Sequence, residues 1–173
     1  PDSGFLVASG SLPPGAPTDF YAQVARAGRE AGAKVIVDTS GEPLKKALQE
    51  GVYLIKPNLR EFRELVDEDL RDEAEIEAAA RKLVAGGGCE LLVISLGSAG
   101  ALFVSRDAVA HMRPPTVRIV SKVGAGDSMV AGITLSLARG MAPRDAALFG
   151  IAAGAAAVMT PGSELCRKED AER

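Results

Sequence analysis

The sequence is poor in the residues that build metal sites and disulfide frameworks. Its 173 residues include one histidine, two cysteines and no tryptophan. Cys89 and Cys166 lie far apart and outside any Cys-x-x-Cys spacing, so the sequence predicts neither a zinc site nor a disulfide framework. Isolated cysteines are typical of proteins in a reducing compartment, and we therefore expect a cytoplasmic protein.

Long stretches of one charge and long hydrophobic stretches are also missing. The formal net charge is -3 at pH 7, and acidic and basic residues are interleaved along the chain. The chain has no basic stripe that could neutralise the phosphates of nucleic acid or of anionic lipid. The weakly polar stretch at residues 150–159 is too short to span a bilayer. The sequence therefore predicts a protein that binds neither nucleic acid nor membranes.

The length of the chain suits one domain with a substantial core, and we expect residues 1–173 to form a single domain. An apolar run at residues 5–8 follows almost directly on Pro1, so we expect the chain to be part of a longer protein. The residues after Cys166 are almost all charged, and we expect this tail to be loosely held.

Short apolar runs alternate with helical patterns along the chain. The runs at residues 35–37, 52–55 and 91–94 are continuously apolar, which is typical of strands covered on both faces. The runs at residues 101–104 and 109–112 predict a β-hairpin. Two helices, at about residues 127–139 and 143–159, close the chain. This order predicts an α/β fold of three layers, with helices on both faces of a mostly parallel sheet.

Four loops that are polar or rich in glycine follow predicted strands. They cover residues 9–15, 56–61, 95–100 and 123–127. Sheets of parallel strands bind ligands at the carboxyl ends of those strands. We therefore expect the four loops to meet at one edge of the sheet.

The segment GAGD at residues 124–127 lies where an apolar β-type run gives way to a helix. Unpaired N–H groups at such a turn would hold an anion, and Gly124 and Gly126 would let the backbone turn there. Asp127 beside such a cradle would be placed to take a proton from an alcohol during phosphoryl transfer. The alternative is a tight turn whose aspartate caps the helix. The segment has neither the Lys-Ser/Thr of a P-loop nor the third glycine of a dinucleotide fingerprint.

The segment KPN at residues 56–58, followed by Glu61, places an amide and a carboxylate three residues apart at a helix start. Asn58 and Glu61 on one helix face could hold a hydrated Mg²⁺, and Lys56 could meet a phosphate. The alternative is a capping box, in which Asn58 and Glu61 satisfy the first N–H groups of the helix.

A different class of enzyme is suggested by the order Gly126, Asp127, Ser128, with which one group of serine hydrolases begins its nucleophile turn. Such an enzyme needs a histidine base. His111, the one histidine, lies upstream in the predicted hairpin and is more typical of an ordinary strand residue.

Taken together, these motifs resemble the ribokinase-like (PfkB) family of carbohydrate kinases over nearly the whole chain. The segments that carry the resemblance occur in the family's order: SLPPG at 11–15, DTSGE at 38–42, KPN at 56–58 with Glu61, SLG at 95–97, GAGD at 124–127 and FGIAAG at 149–154. Residues 9–15 and 162–166 look most like the branch that phosphorylates sugar phosphates.

The resemblance implies a role for each matching residue. Asp127 would be the catalytic base, and the backbone at Gly124, Ala125 and Gly126 would form the anion hole. Ser11 would lie near the sugar phosphate, and Asn58 and Glu61 would act on Mg²⁺ through water. The residues expected to face the ATP phosphates, ribose and adenine are Lys56, Asn58, Ser95, Gly97, Gly100, Gly154 and Ala157. Close helix packing would equally demand small residues at Gly154 and Ala157.

The resemblance also implies the reaction and its partners. We expect ATP-dependent phosphorylation of fructose 6-phosphate, with 1-phosphofructokinase or tagatose-6-phosphate kinase activity as alternatives. Family members carry a further N-terminal part with a lid sheet and commonly a dimer contact, so we expect a homodimer for the longer protein. This chain alone could then be a nucleotide-binding part without activity.

A potassium site is not expected from side chains. Thr160 and Glu164 stand where the phosphofructokinase branch carries Asn and Arg. Backbone carbonyls would remain as ligands for such an ion.

Overall fold

The computed structural model describes residues 4–162, 164 and 166–171. The strands are β1 (Phe5–Ser9), β2 (Lys34–Asp38), β3 (Val52–Ile55), β4 (Cys89–Ser95), β5 (Ala101–Ser105) and β6 (Val109–Met112). The helices are α1 (Phe20–Glu30), α2 (Gly41–Glu50), α3 (Leu59–Val66), α4 (Glu73–Ala85), α5 (Ala125–Ala138), α6 (Pro143–Ala157) and α7 (Lys168–Ala171), with one 3₁₀ turn at Gly97–Ala99. The predicted alternation of strands and helices is confirmed.

The six strands form one sheet in the order β1-β2-β3-β4-β5-β6. The pairs β1/β2, β2/β3 and β3/β4 are parallel. A short turn joins β5 to β6, and the N–H of Ser105 donates to the carbonyl of Ala108, which makes the predicted hairpin. The prediction of an α/β fold with a mostly parallel sheet is therefore confirmed.

The chain forms two compact units. The first comprises residues 1–96 and 102–110, and the second comprises residues 97–101 and 111–173. The core of the first unit lies on the strands, where Ile36, Ile55 and Leu92 are fully buried. Complete burial explains why these strands have continuous rather than alternating apolar sequences. The expectation of a single domain stays a prediction.

In the second unit, glycines bring α5 and α6 close together. A Cβ added at Gly132 would lie 2.9 Å from the Cβ of Ala153, and one added at Gly150 would lie 2.4 Å from Cγ1 of Ile133. Any larger side chain at either glycine would force the two helices apart.

Two sequence-based expectations are wrong in the second unit. Residues 113–122, which include the β-type run before Gly124, form no strand, and Ile119 and Val120 are about half exposed. The N–H groups of Val120 and Ser121 both donate to the carbonyl of Val158, which differs from a regular β-ladder, where each carbonyl accepts from one N–H group. The described part of the tail after Cys166 is not loosely held throughout, because Lys168–Ala171 form α7 and Ala171 packs in an apolar cluster with α6.

Candidate active site

Three polar side chains lie side by side at the carboxyl ends of the first three strands. The parallel register places Ser9 opposite Asp38 and Val37 opposite Ile55. Asp38 and Lys56 therefore lie next to each other at the carboxyl ends of β2 and β3. The Lys56 ammonium lies 3.4 Å from Oδ1 of Asp38, and the Ser9 hydroxyl donates to Oδ2 of Asp38 at 3.4 Å. This row is the polar edge of the first unit.

The sequence motifs assign no role in the site to Asp38. The residue was visible as part of the DTSGE motif, and it is the polar residue that ends a buried strand. That position at the carboxyl end of a parallel strand is the signal that could have identified it.

Asn58 and Glu61 form the capping box that the sequence allowed. Oδ1 of Asn58 accepts from the N–H of Glu61 at 3.0 Å, and Oε2 of Glu61 accepts from the N–H of Asn58 at 2.9 Å. Both side chains are half-buried. The cap occupies one oxygen of the Glu61 carboxylate and leaves Oε1 outside the box, so the cap and a metal role are compatible.

Ser95 lies beside this box, because Asn58 and Ser95 form a parallel β-bridge and the N–H of Ser95 donates to the carbonyl of Pro57. The structure thus brings Lys56, Asn58, Glu61 and Ser95 together on the edge where the sequence predicted them. Oxygen donors of this kind suit a hard cation such as Mg²⁺. In the part of the chain that the structure describes, no group of three or more His, Cys, Asp and Glu side chains could hold a metal ion. Mg²⁺ loses its waters reluctantly and usually keeps several of them in protein sites.

Ser11 belongs to a loop that is held to the same edge. The N–H of Gly10 donates to the carbonyl of Asp38, and the carbonyl of Gly10 accepts from the Tyr21 and Thr39 hydroxyls at 2.7 and 2.8 Å. The Ser11 side chain is exposed directly after this anchor. It is therefore open to a ligand.

The GAGD segment forms the start of α5 in the second unit. Gly124 is the N-cap residue with φ +77°, and the N–H of Ser128 makes a hydrogen bond to its carbonyl. The N–H groups of Ala125, Gly126 and Asp127 precede that bond and have no partner within the helix. Asp127 is the third helical residue and is exposed. The alternative in which Asp127 caps the helix is wrong, since the cap is a glycine and no side chain makes a cap bond.

Gly97 and Gly100 lie in the turn before β5. Gly100 has φ +100°, and a Cβ at this position would lie 1.9 Å from the carbonyl oxygen of Met112. Gly97 has φ +62° and open space around it. Gly100 therefore has a packing role whether or not it also faces a nucleotide, and that nucleotide contact stays a prediction.

Gly154 and Ala157 lie on α6 among close contacts. A Cβ at Gly154 would lie 3.1 Å from the carbonyl oxygen of Ala125, the first residue of α5, and Ala157 is 1% exposed. Helix packing accounts for the small size of both residues, and their adenine contact stays a prediction.

Thr160 is buried at the end of α6. Its hydroxyl lies 2.8 Å from the carbonyl of Ala157 and 3.0 Å from that of Glu164. Ser163 and Leu165, which belong to the segment that indicated the sugar-phosphate branch, lie outside the described residues.

The serine hydrolase alternative does not fit the position of Ser128. This residue is 8% exposed and lies within α5, whereas a nucleophile must be open to its substrate. His111 lies on β6, as predicted. Among the described residues, no helix combines the length and apolarity needed to cross a membrane.

Comparison with known proteins decides the family. A family model described as pfkB family carbohydrate kinase matches residues 2–170. The chain belongs to this family. It is 45% identical over 171 residues to the ATP-dependent 6-phosphofructokinase isozyme 2 of Mycobacterium tuberculosis, covering 99% of the chain and 50% of the relative. It is 46% identical over 136 residues to a 1-phosphofructokinase of Xanthomonas campestris, covering 76% and 42%.

The fold agrees with a solved member of the family. Phosphofructokinase-2 from Escherichia coli, solved in complex with potassium, superposes with a TM-score of 0.94 at 41% identity, covering 98% of this chain and 56% of that one. The chain thus spans about half the length of the relatives that it matches. The ribokinase-like fold expected from the motifs is confirmed.

Proposed function

We propose that the chain is the nucleotide-binding part of an ATP-dependent sugar-phosphate kinase whose acceptor is fructose 6-phosphate. Membership of the family supports a phosphotransferase, and the names of the similar relatives support a sugar phosphate as acceptor. The observation that carries the proposal is the first turn of α5. There, the N–H groups of residues 124–127 precede the first helical hydrogen bond, and the exposed Asp127 carboxylate lies within the same four residues.

Each of these groups has one task in the proposed reaction. The Asp127 carboxylate accepts the proton of the sugar hydroxyl as that oxygen attacks phosphorus. The backbone at Gly124, Ala125 and Gly126 stabilises negative charge on the phosphoryl group in transfer. The attacked atom is the γ-phosphorus of ATP, whose bond to the β,γ-bridging oxygen breaks so that ADP leaves. A bound Mg²⁺ would supply positive charge beside these phosphates.

The polar edge of the first unit has the complementary task of binding the nucleotide. The Lys56 ammonium faces a phosphate, and Asn58 and Glu61 hold the waters around Mg²⁺. The family resemblance also assigns a nucleotide contact to Ser95, Gly97, Gly100, Gly154 and Ala157, and it assigns a contact with the sugar phosphate to Ser11. Backbone carbonyls would be the ligands of a potassium ion, because Thr160 and Glu164 stand where the phosphofructokinase branch carries Asn and Arg. For the longer protein we propose a homodimer, which light scattering would test.

The test is a coupled assay of ADP release by the full-length gene product. Asp127→Asn should lower turnover with fructose 6-phosphate by about 10²- to 10⁴-fold, the usual contribution of a general base. Asp145→Asn is the matched control, because Asp145 is also an exposed aspartate at the third position of a helix, α6. Equal turnover in wild type and Asp127→Asn would refute the proposed base.

The same assay separates the alternatives for the acceptor. The substrate would be reassigned if kcat/KM were higher with fructose 1-phosphate or with tagatose 6-phosphate than with fructose 6-phosphate. Fructose 1-phosphate must be tested because the chain is 46% identical to a 1-phosphofructokinase. Nucleotide binding by this chain alone, without any turnover, would support the alternative of a binding part without activity.

A further inference from the structure

The ion pair between Asp38 and Lys56 is unusual because both of its side chains are largely covered. The Lys56 side chain is 7% exposed and the Asp38 side chain is 16% exposed, whereas the pairs Arg26–Glu50, Arg60–Glu64 and Lys82–Glu68 each have a partner more than half exposed. Removing an ammonium and a carboxylate from water costs free energy that a hydrophobic pair would not. Such a pair therefore calls for an explanation other than stability.

Backbone hydrogen bonds hold Asp38 in place, whereas the long Lys56 side chain has many rotatable bonds between its backbone and its charge. Asp38 ends β2, which is paired on both sides, and its carbonyl accepts from the N–H of Gly10. Oδ2 of Asp38 accepts from the Ser9 hydroxyl, which turns Oδ1 towards the ammonium of Lys56. A lysine has four rotatable bonds and a compact charge with no preferred direction. Its end position is therefore set by the carboxylate.

We propose that Asp38 is a positioning residue that holds the Lys56 ammonium at the polar edge of the sheet. Asp38 then influences nucleotide affinity through Lys56, without contact to the nucleotide or to the metal. This inference rests on the proposed function for one step, the assignment of a phosphate to Lys56.

The first test is a double-mutant cycle on ATP affinity, measured by calorimetry with this chain. Asp38→Asn and Lys56→Met should each weaken binding by about 10-fold, and the double variant should be no weaker than Lys56→Met alone, because coupled residues are not additive. Additive losses, of about 100-fold in the double variant, would overturn the proposal. Adenosine, which has no phosphate, should bind all four proteins equally.

The same titrations in EDTA separate positioning from metal binding. If Asp38 acts on Lys56, the loss in Asp38→Asn persists when no divalent cation is present. If Asp38 instead binds Mg²⁺, the loss disappears in EDTA, and the proposal is wrong. Asp38→Glu retains the carboxylate and should recover part of the affinity.

A second measurement needs no nucleotide. Acetylation of native lysines, followed by mass spectrometry, should modify Lys56 more slowly than the exposed Lys82, and Asp38→Asn should raise the Lys56 rate several-fold relative to Lys82. An unchanged rate at Lys56 would overturn the proposal. If wild type binds no ATP, the proposed function fails, and this second measurement still decides whether Asp38 holds the lysine.

The control is a second carboxylate of the same unit that pairs with a cation. Glu50, the last residue of α2, pairs with Arg26 and has no role in any of the proposed steps. Glu50→Gln should change neither ATP affinity nor the labelling of Lys56. Circular dichroism of each variant confirms that it is folded before it is titrated.

Discussion

Replacing Gly100 by alanine should destabilise the protein far more than replacing Gly97, three residues earlier in the same turn. Both glycines have positive φ, +62° at Gly97 and +100° at Gly100. Alanine at Gly97 enters the left-handed region with nothing within 4 Å, at a cost of roughly 1–2 kcal/mol. The new methyl group meets no other atom there, so this variant measures backbone strain alone.

Alanine at Gly100 adds a clash to this strain. A φ of +100° lies outside the small left-handed region that L-residues occupy. The new Cβ would lie 1.9 Å from the carbonyl oxygen of Met112, whereas real Cβ contacts are essentially never shorter than 3.0 Å. The two atoms must therefore separate by at least about 1.1 Å (3.0 minus 1.9). Moving a packed backbone this far should bring the total cost to about 3 kcal/mol or more.

Urea unfolding and thermal unfolding followed by circular dichroism measure the difference. A loss of about 3 kcal/mol corresponds to a fall in Tm of roughly 6–12 °C for a chain of this size. The reasoning would be refuted if the free energies of unfolding of Gly100→Ala and Gly97→Ala agreed within about 0.5 kcal/mol, the usual effect of a neutral substitution.

Three further predictions concern other parts of the chain. Asn58→Ala removes the side-chain cap of α3 and should lower the free energy of unfolding by about 1 kcal/mol, measured in urea; an unchanged midpoint would contradict the capping box. Gly150→Ala places a Cβ 2.4 Å from Ile133 and should lower Tm, although alanine favours helix by about 1 kcal/mol; a higher Tm would contradict the close helix contact. Burial raises the pKa of Cys89 to about 12, so little of its thiol is ionised at pH 8. In the native protein, Ellman's reagent should therefore react quickly with Cys166 alone, and two equally fast thiols would contradict this.

The strands and the helices that follow them could be predicted because local sequence determines them. The runs at residues 35–37 and 91–94 are continuously apolar, and the structure buries them within a parallel sheet. The capping box at Asn58 and Glu61 could also be predicted, since its partners lie three residues apart. In each of these places the pattern that allows the prediction lies within a short stretch of sequence.

Features that depend on distant partners could not be predicted in the same way. The apolar β-type run at residues 116–120 forms no strand, and the N–H groups of Val120 and Ser121 donate to a carbonyl at the end of α6 instead. The pairing of Asp38 with Lys56 depends on the register between β2 and β3, which the sequence does not reveal. The start of α5 at Ala125 instead of Asp127 depends on the conformation of Gly124. The meeting of the loop at residues 123–127 with the polar edge of the first unit stays a prediction.

The most direct test of the account is a calorimetric titration of this chain with Mg·ATP, repeated on the double variant Asn58→Ala with Glu61→Ala. We predict saturable binding of one nucleotide per chain, weakened in the double variant. A chain that is folded by circular dichroism and yet shows no saturable binding would contradict the claim that these residues form the nucleotide-binding part of a sugar-phosphate kinase.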